Sequence, residues 1–189
     1  MNARAILMAR AGDATDPTAL ALAGVLAAAY ERHGAQVLPL PGLSAAQTRQ
    51  MLARWFPGAD LALQLAWADP ACARRAEPRL DEIEDLVALL KDHADPAAGP
   101  AGDMNCVAHA LACASLGDNH LWQDLFLPSR RELSALIERW FPRLAAKNSH
   151  DMKWKKFLYK QLCEREELFI CRAPSCSVCT DHAVCFGPE

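Results

Sequence analysis

Four cysteines near the C-terminus are the strongest chemical signal in the sequence. Cys171, Cys176, Cys179 and Cys185 follow the spacing C-x4-C-x2-C-x5-C. No helix or strand would place these four side chains on one side, but a loop wrapped around a metal can, and Pro174 favours a turn within such a loop. Thiolates are soft ligands that bind zinc, Cu(I) or iron–sulfur clusters. The run therefore predicts a metal site that all four cysteines ligate.

The spacing favours an iron–sulfur cluster but leaves other metals open. Structural zinc sites usually show two short pairs of ligands separated by a longer spacer, whereas ferredoxins line one loop with cluster ligands. We therefore favour a 3Fe-4S or 4Fe-4S type cluster. The central C-x2-C is common to both kinds of site, so a zinc-stapled helical interaction module stays open. An iron–sulfur protein that transfers electrons is a third hypothesis.

Two disulfides are the alternative without a metal, and they require an oxidising compartment. The first apolar stretch, at residues 5–9, is too short and too interrupted for a signal peptide. No later segment approaches the roughly 18 uninterrupted apolar residues of a membrane span. A net charge of −3 provides no global basic field for nucleic acid. We expect a cytoplasmic protein with reduced cysteines that binds neither membrane nor nucleic acid.

Several residues outside the four cysteines are candidates for an accessory role at the metal. Cys106, His109 and Cys113 fall at i, i+3 and i+7, on one face of a predicted helix. Core packing is the favoured interpretation, because any buried stripe has this spacing. His120 lies in the polar stretch 117–124, where a role at the start of a helix is slightly favoured over contact with a metal or an oxyanion. His182 lies inside the cysteine loop itself.

The last long predicted helix carries lysines directly before the cysteines, at positions 153, 155, 156 and 160. A solvated helix face explains them without function, and acidic residues at the far end of the helix support that interpretation. However, a thiolate cluster and an incoming oxyanion are both negatively charged, and nearby lysines would attract them. Lys155 and Lys156 are the candidates for this role. Cys163, on the same helix, is expected to be packed, and Cys72 is assigned no function.

Catalytic patterns are almost absent from the sequence. No nucleotide-binding glycine pattern, nucleophile elbow or HExxH motif occurs. Cys179 and His182 form the nearest arrangement to a thiol nucleophile with its base. Four clustered thiols are better explained by a metal, and we expect a protein that is not an enzyme.

The elements that must position these residues are predicted to be helices. Alanine and leucine dominate, β-branched residues are scarce, and capping residues recur before apolar periodic segments. We predict an all-α, compact single domain over residues 1–189 with about seven helices and a C-terminal metal-binding loop. The predicted helices cover 18–33, 44–56, 80–93, 104–116, 119–125, 129–140 and 148–167, with a helical turn or two at 60–67. Residues 94–102, which contain two prolines and two glycines, are predicted to form a linker.

Two segments of the chain resemble each other. Ser44-x-x-Gln47 and Ser129-x-x-Glu132 are each followed by Arg-Trp-Phe-Pro, at a constant offset of 85 residues. This predicts a duplicated helix–loop–helix unit with copies at about 16–57 and 103–142. The two copies are expected to pack through their tryptophans.

The second half of the chain resembles the NifQ family of nitrogen-fixation proteins. The matching segments are Gly117–Asp124, Asp151–Phe157 and the four-cysteine run from Cys171 to Cys185. The resemblance implies a molybdenum carrier that holds an iron–sulfur or molybdenum–iron–sulfur cluster on the four cysteines. Its expected partners are molybdate or another molybdenum source, and NifEN/NifH-type scaffold proteins that assemble the nitrogenase iron–molybdenum cofactor. We further expect the cysteine loop to dock near the 106–113 helix and the His120 turn, forming a partly open pocket with a basic rim.

Overall fold

Eleven helices form the part of the chain that the computed structural model describes, which is residues 2–66, 77–167 and 182–187. In chain order they are α1 (Ala3–Met8), α2 (Pro17–His33), α3 (Ala45–Trp55), α4 (Ala59–Ala62), α5 (Leu80–Asp92), α6 (Ala101–Ser115), α7 (Leu121–Asp124), α8 (Arg130–Trp140), α9 (Pro142–Lys147), α10 (Trp154–Arg165) and α11 (His182–Phe186). No strand occurs within these ranges, so the all-α prediction is confirmed there. The predicted number of about seven is too low, because α1, α9 and α11 are short helices that lack a long periodic pattern.

The capping residues identified in the sequence define the ends of α2 and α3. The Asp16 carboxylate accepts a hydrogen bond from the Thr18 N–H at 2.7 Å, and Gly34 ends α2 with a positive φ of 78°. Ser44 and Gln47 form the predicted capping box, with bonds of 2.9 and 3.3 Å. These bonds satisfy backbone groups that have no partner within the helix, which is why the predicted ends are accurate here.

Helix α6 lies at the centre of the core and packs against α2, α3, α5 and α7. Its alanines allow this close approach, and Ala108, Ala110 and Ala112 are almost completely buried. A helix buried nearly all round needs apolar or small residues on every face, as α6 has. None of the described helices combines the length and apolar character that a membrane span requires.

Residues 94–102 are not a linker, contrary to the prediction. The Asp95 N–H donates to the Trp140 carbonyl oxygen at 3.0 Å, and a Cβ at Gly99 would lie 2.9 Å from the Trp140 indole. The last two residues of the segment already belong to α6. Glycine and proline here allow close packing under a buried tryptophan rather than flexibility.

Two predicted helix starts were also wrong. Helix α6 begins three residues earlier than predicted, so Asp103, which the prediction placed before the helix, lies in its first turn, where it is buried and forms an ion pair with Arg54. Helix α10 begins at Trp154 rather than at 148 or 149. The Asn148 side chain bonds both the N–H and the carbonyl of Met152, at 2.8 and 2.9 Å, and closes a turn where a helix was expected.

The two Arg-Trp-Phe-Pro segments end their helices in the same way. Helices α3 and α8 each have 11 residues, and each is followed by a fully buried phenylalanine, Phe56 or Phe141, with φ near −140° and ψ near 60°. Trp140 is fully buried and donates to the Thr18 hydroxyl at 3.0 Å, whereas Trp55 is half-buried. A following proline by itself imposes such a helix end, so the duplication stays a prediction.

Candidate functional site

The described part of the predicted metal-binding segment is helix α11, which carries Cys185. The backbone N–H of Lys153, the residue before α10, donates to the Cys185 carbonyl oxygen at 2.8 Å. Cys185 and Phe186 are half-buried and pack against the core. The other three predicted ligands, at positions 171, 176 and 179, lie outside the described residues, as does Cys72. The described part of the tail is therefore anchored at the start of α10.

Helix α11 lies between two open clefts. The smaller, of about 440 Å³, is the His120 cleft, lined by residues 117–121 and 123, Lys153, Lys155, Lys156 and Val184. The larger cleft, of about 750 Å³, is lined on the α11 side by His182 and Phe186, and we call it the Phe186 cleft. The His182 ring is exposed and stacks on Phe186, with ring centroids 4.4 Å apart. Residues of α11 thus reach both clefts.

The His120 cleft brings together several residues that the sequence singled out. His120 is the residue that precedes α7, and its N–H donates to the Gln123 side chain at 3.1 Å. It therefore has the predicted role at a helix start and also lines the cleft. Lys156 also lines the cleft and is exposed, and Val184 extends from α11 with 53% of its surface exposed. Three lysines thus line the cleft together with His120 and Val184, whereas docking of the whole cysteine loop here stays a prediction because residues 168–181 lie outside the described residues.

Lys155 has a structural role that the sequence did not indicate. Its Nζ donates to the Gly117 carbonyl oxygen at 2.7 Å and to the Asp124 carboxylate at 2.5 Å. Asp124 also accepts the backbone and side-chain N–H groups of Asn119, at 3.2 and 3.0 Å. A Cβ on Gly117 would overlap the Asp124 carboxylate, which would have to leave its bonds to Lys155 and Asn119. We call Gly117, Asn119, Asp124 and Lys155 the Lys155 clamp, which holds the His120 turn against α10.

A second polar network supports the same part of the His120 cleft as the Lys155 clamp. The Arg79 guanidinium bonds both oxygens of the Glu82 carboxylate, at 2.7 and 2.6 Å, and also the Leu116 carbonyl oxygen at 3.3 Å. The Tyr159 hydroxyl donates to Glu82 from α10. The bond to Arg79 lowers the pKa of Glu82, whereas burial raises the pKa of Tyr159. The network connects α5, α10 and the residue before Gly117.

Cys106 and His109 lie in the core and line neither cleft. Burial raises the pKa of the Cys106 thiol to about 12, so the thiolate that a metal requires is disfavoured. The His109 Nδ1 is 2.8 Å from the Asn105 carbonyl oxygen, and its Nε2 lies close under Gly42. Burial lowers the pKa of His109. These positions agree with core packing, the favoured interpretation, and Cys113 and Cys163 are half-buried.

The four thiolates predicted from the sequence are suitable ligands for an iron–sulfur cluster. The described helices do not form a metal site of their own. Among the described residues, no three His, Cys, Asp or Glu side chains converge to hold a metal ion. The four-cysteine segment, of which Cys185 is the described member, therefore stays the predicted ligand set. Soft sulfur ligands suit iron–sulfur clusters and zinc alike. The lysines beside Cys185 would stabilise an anionic thiolate cluster bound there.

Comparison with known proteins identifies similar sequences. A family model described as NifQ matches residues 21–187. Protein NifQ of Azotobacter vinelandii is 47% identical over 116 residues, which are 60% of this chain and 56% of that protein. Protein NifQ of Rhodobacter capsulatus is 37% identical over 172 residues, 89% of each chain. Protein NifQ of Klebsiella pneumoniae is 43% identical over 109 residues, 57% of this chain and 62% of that protein. The chain therefore spans little more than half of two of these relatives and most of the third. No solved structure matches the chain.

Proposed function

Because the chain belongs to the NifQ family, we propose that it carries molybdenum for assembly of the nitrogenase iron–molybdenum cofactor. Its cargo is an iron–sulfur or molybdenum–iron–sulfur cluster held by Cys171, Cys176, Cys179 and Cys185. One structural observation supports this proposal most directly. The helix that carries Cys185 is anchored beside an open cleft that also contains His120 and three lysines.

The four thiolates provide enough ligands for such a cargo. Three thiolates can hold three irons of a cuboidal cluster, which leaves one corner for another metal and one cysteine beyond that minimum. His120 lies next to the tail and His182 lies within it, so both are proposed as nitrogen donors near that corner. Neutral imidazole and thiolate both bind transition metals readily.

The cleft also provides a route for a negatively charged form of molybdenum. Lys156 is exposed in the cleft wall and Lys153 is half-exposed, and in the described part of the chain neither forms an ion pair. Lys155 is not a free cation, because Asp124 neutralises it. We therefore assign attraction of an oxyanion to Lys153 and Lys156 and exclude Lys155 from this role.

An open site is what a carrier needs. A cluster that only transferred electrons could be sealed from solvent, whereas metal that is to be passed on must stay accessible to the receiving protein. We therefore propose a carrier rather than an electron-transfer protein. We also propose that the protein is not an enzyme that turns over a substrate. The expected recipient is a NifEN/NifH-type scaffold protein.

Metal analysis of protein purified without oxygen tests the proposal. We expect iron and molybdenum in a brown protein, with little zinc. Replacement of any one of the four cysteines by serine should remove the iron or lower its content. Stoichiometric zinc in a colourless protein would contradict the carrier function and would support a zinc-stapled interaction module.

The accessory roles need a separate measurement, in which molybdenum and iron are quantified together. His120→Ala and Lys156→Ala should each lower the molybdenum content at constant iron content. Lys91→Ala is the matched control, because Lys91 is an exposed lysine on α5 outside both clefts. Parallel loss of both metals would place His120 in cluster stability, and no change would leave it only its role at the helix start.

A further inference from the structure

The Phe186 cleft lies on the other side of α11 from the His120 cleft, and of the residues proposed above to contact the metal it contains only His182. Its floor is apolar and contains Met152, Phe157 and Phe186. Met152 and Phe157 are more than nine-tenths buried, and Phe157 is held edge-on against Trp154 with ring centroids 5.8 Å apart. The floor is therefore a preformed apolar surface that belongs to the core.

The rim of the same cleft is basic. Lys147 and Lys160 line it, together with two imidazoles and a single carboxylate, Glu164. That carboxylate is itself occupied, since it lies 3.6 Å from the Lys160 ammonium and accepts a bond from the Gln161 amide at 2.5 Å. In the described part of the chain, Lys147 has no ion-pair partner. Two lysines and one carboxylate leave this surface with a formal charge of +1, although the whole chain has a net charge of −3.

The shape of the cleft favours a protein over a small molecule. Small-molecule sites usually enclose most of their ligand, whereas this cleft of about 750 Å³ is open along α10 and α11. An apolar centre surrounded by charged groups is the arrangement of protein–protein interfaces, where a few apolar anchors provide affinity and rim charges guide association.

We infer that the Phe186 cleft docks an acidic surface of the protein that receives the molybdenum, with an apolar side chain of that partner on the Phe157–Phe186 floor. This inference rests on the proposed carrier function, and it adds a surface to it. Helix α11 forms one wall of the cleft and also carries Cys185. A partner docked there would contact the same helix that carries part of the cargo site. The His120 cleft, on the opposite side of α11, would stay open.

The test measures binding of the full-length protein to a purified NifEN-type scaffold protein by biolayer interferometry. The variant is Lys147→Glu/Lys160→Glu, and Lys91→Glu is the control with a charge reversal on another surface. We expect the double variant to raise Kd at least tenfold and the control to change it less than twofold. We also expect the wild-type Kd to rise between 50 and 300 mM salt, because exposed charges are screened. Circular dichroism checks that the variants fold.

Several outcomes would overturn the inference. These are absence of wild-type binding, an equal loss of binding in the control, and no loss in the double variant. A wild-type dimer that the double variant converts to a monomer would show instead that the cleft joins two copies of this chain. Iron and molybdenum are quantified on the same samples. Wild-type protein without either metal would refute the carrier function whatever its binding, whereas metal-loaded variants that bind normally would refute only the docking surface.

Discussion

Replacing Lys155 by methionine tests whether the Lys155 clamp determines the structure of the His120 turn. Methionine keeps most of the length and apolar volume of the side chain but removes its charge and its three donors. The change leaves the Gly117 carbonyl without its lysine donor and the Asp124 carboxylate without its cation. Asp124 keeps its two bonds from Asn119.

The expected loss of stability in the Lys155→Met protein follows from the burial of the Lys155–Asp124 ion pair. The Lys155 and Asp124 side chains are only 17% and 15% exposed, so the small values measured for surface ion pairs do not apply. Breaking a fully buried pair costs about 3–5 kcal/mol because it leaves a charge unpaired. The remaining bonds from Asn119 and partial access to water reduce this cost, and we expect about 2–3 kcal/mol. For a chain of this size, that lowers Tm by roughly 5–10 °C.

Urea denaturation of the metal-free protein measures the effect, with Lys156→Met as the matched control. Lys156 is exposed, so its replacement should change the free energy of unfolding by less than about 0.5 kcal/mol. Asp124→Asn is combined with Lys155→Met in a double-mutant cycle, and the double variant should lose clearly less than the sum of the single losses. A Lys155→Met protein as stable as the control, or strictly additive losses, would refute the clamp.

Three further predictions concern single positions. Gly117→Ala should destabilise the protein by about 1–3 kcal/mol in the same assay, because its Cβ would displace the Asp124 carboxylate, and a wild-type stability would be inconsistent with that contact. Burial lowers the pKa of His109, so the unfolded chain binds a proton at higher pH than the folded chain, and stability should fall as pH drops below about 6.5, by at most about 1.4 kcal/mol per pH unit. His109→Gln should flatten that part of a urea-stability profile, and an unchanged slope would assign the pH dependence to other groups. Cys106→Ala should leave the iron content of anaerobically purified protein unchanged whereas Cys185→Ser removes or lowers it, and loss of iron in both would mean that the predicted ligand set is wrong.

The local structure of much of the chain could be predicted from the sequence. The ends of α2 and α3 depend on side chains within three residues of the helix, such as Asp16, Ser44 and Gln47, and their bonds to the backbone form wherever the helix lies. The helical class also follows from composition and periodicity. The four-cysteine spacing indicated thiolate chemistry for the same reason, because ligands within one short segment need no distant partner.

Tertiary structure decided which residues face one another. Lys155 belongs to a basic run that suggested attraction of anions, but its partner Asp124 lies 31 residues away and is brought to it only by the packing of α10 beside the His120 turn. The proline and glycine residues of 94–102 suggested a linker, and the buried Trp140 makes that segment part of the core. The same packing placed Cys106 inside the protein and anchored Cys185 beside a cleft. Such contacts depend on which helix faces meet, and the spacing of residues within one helix carries no information about the face of another.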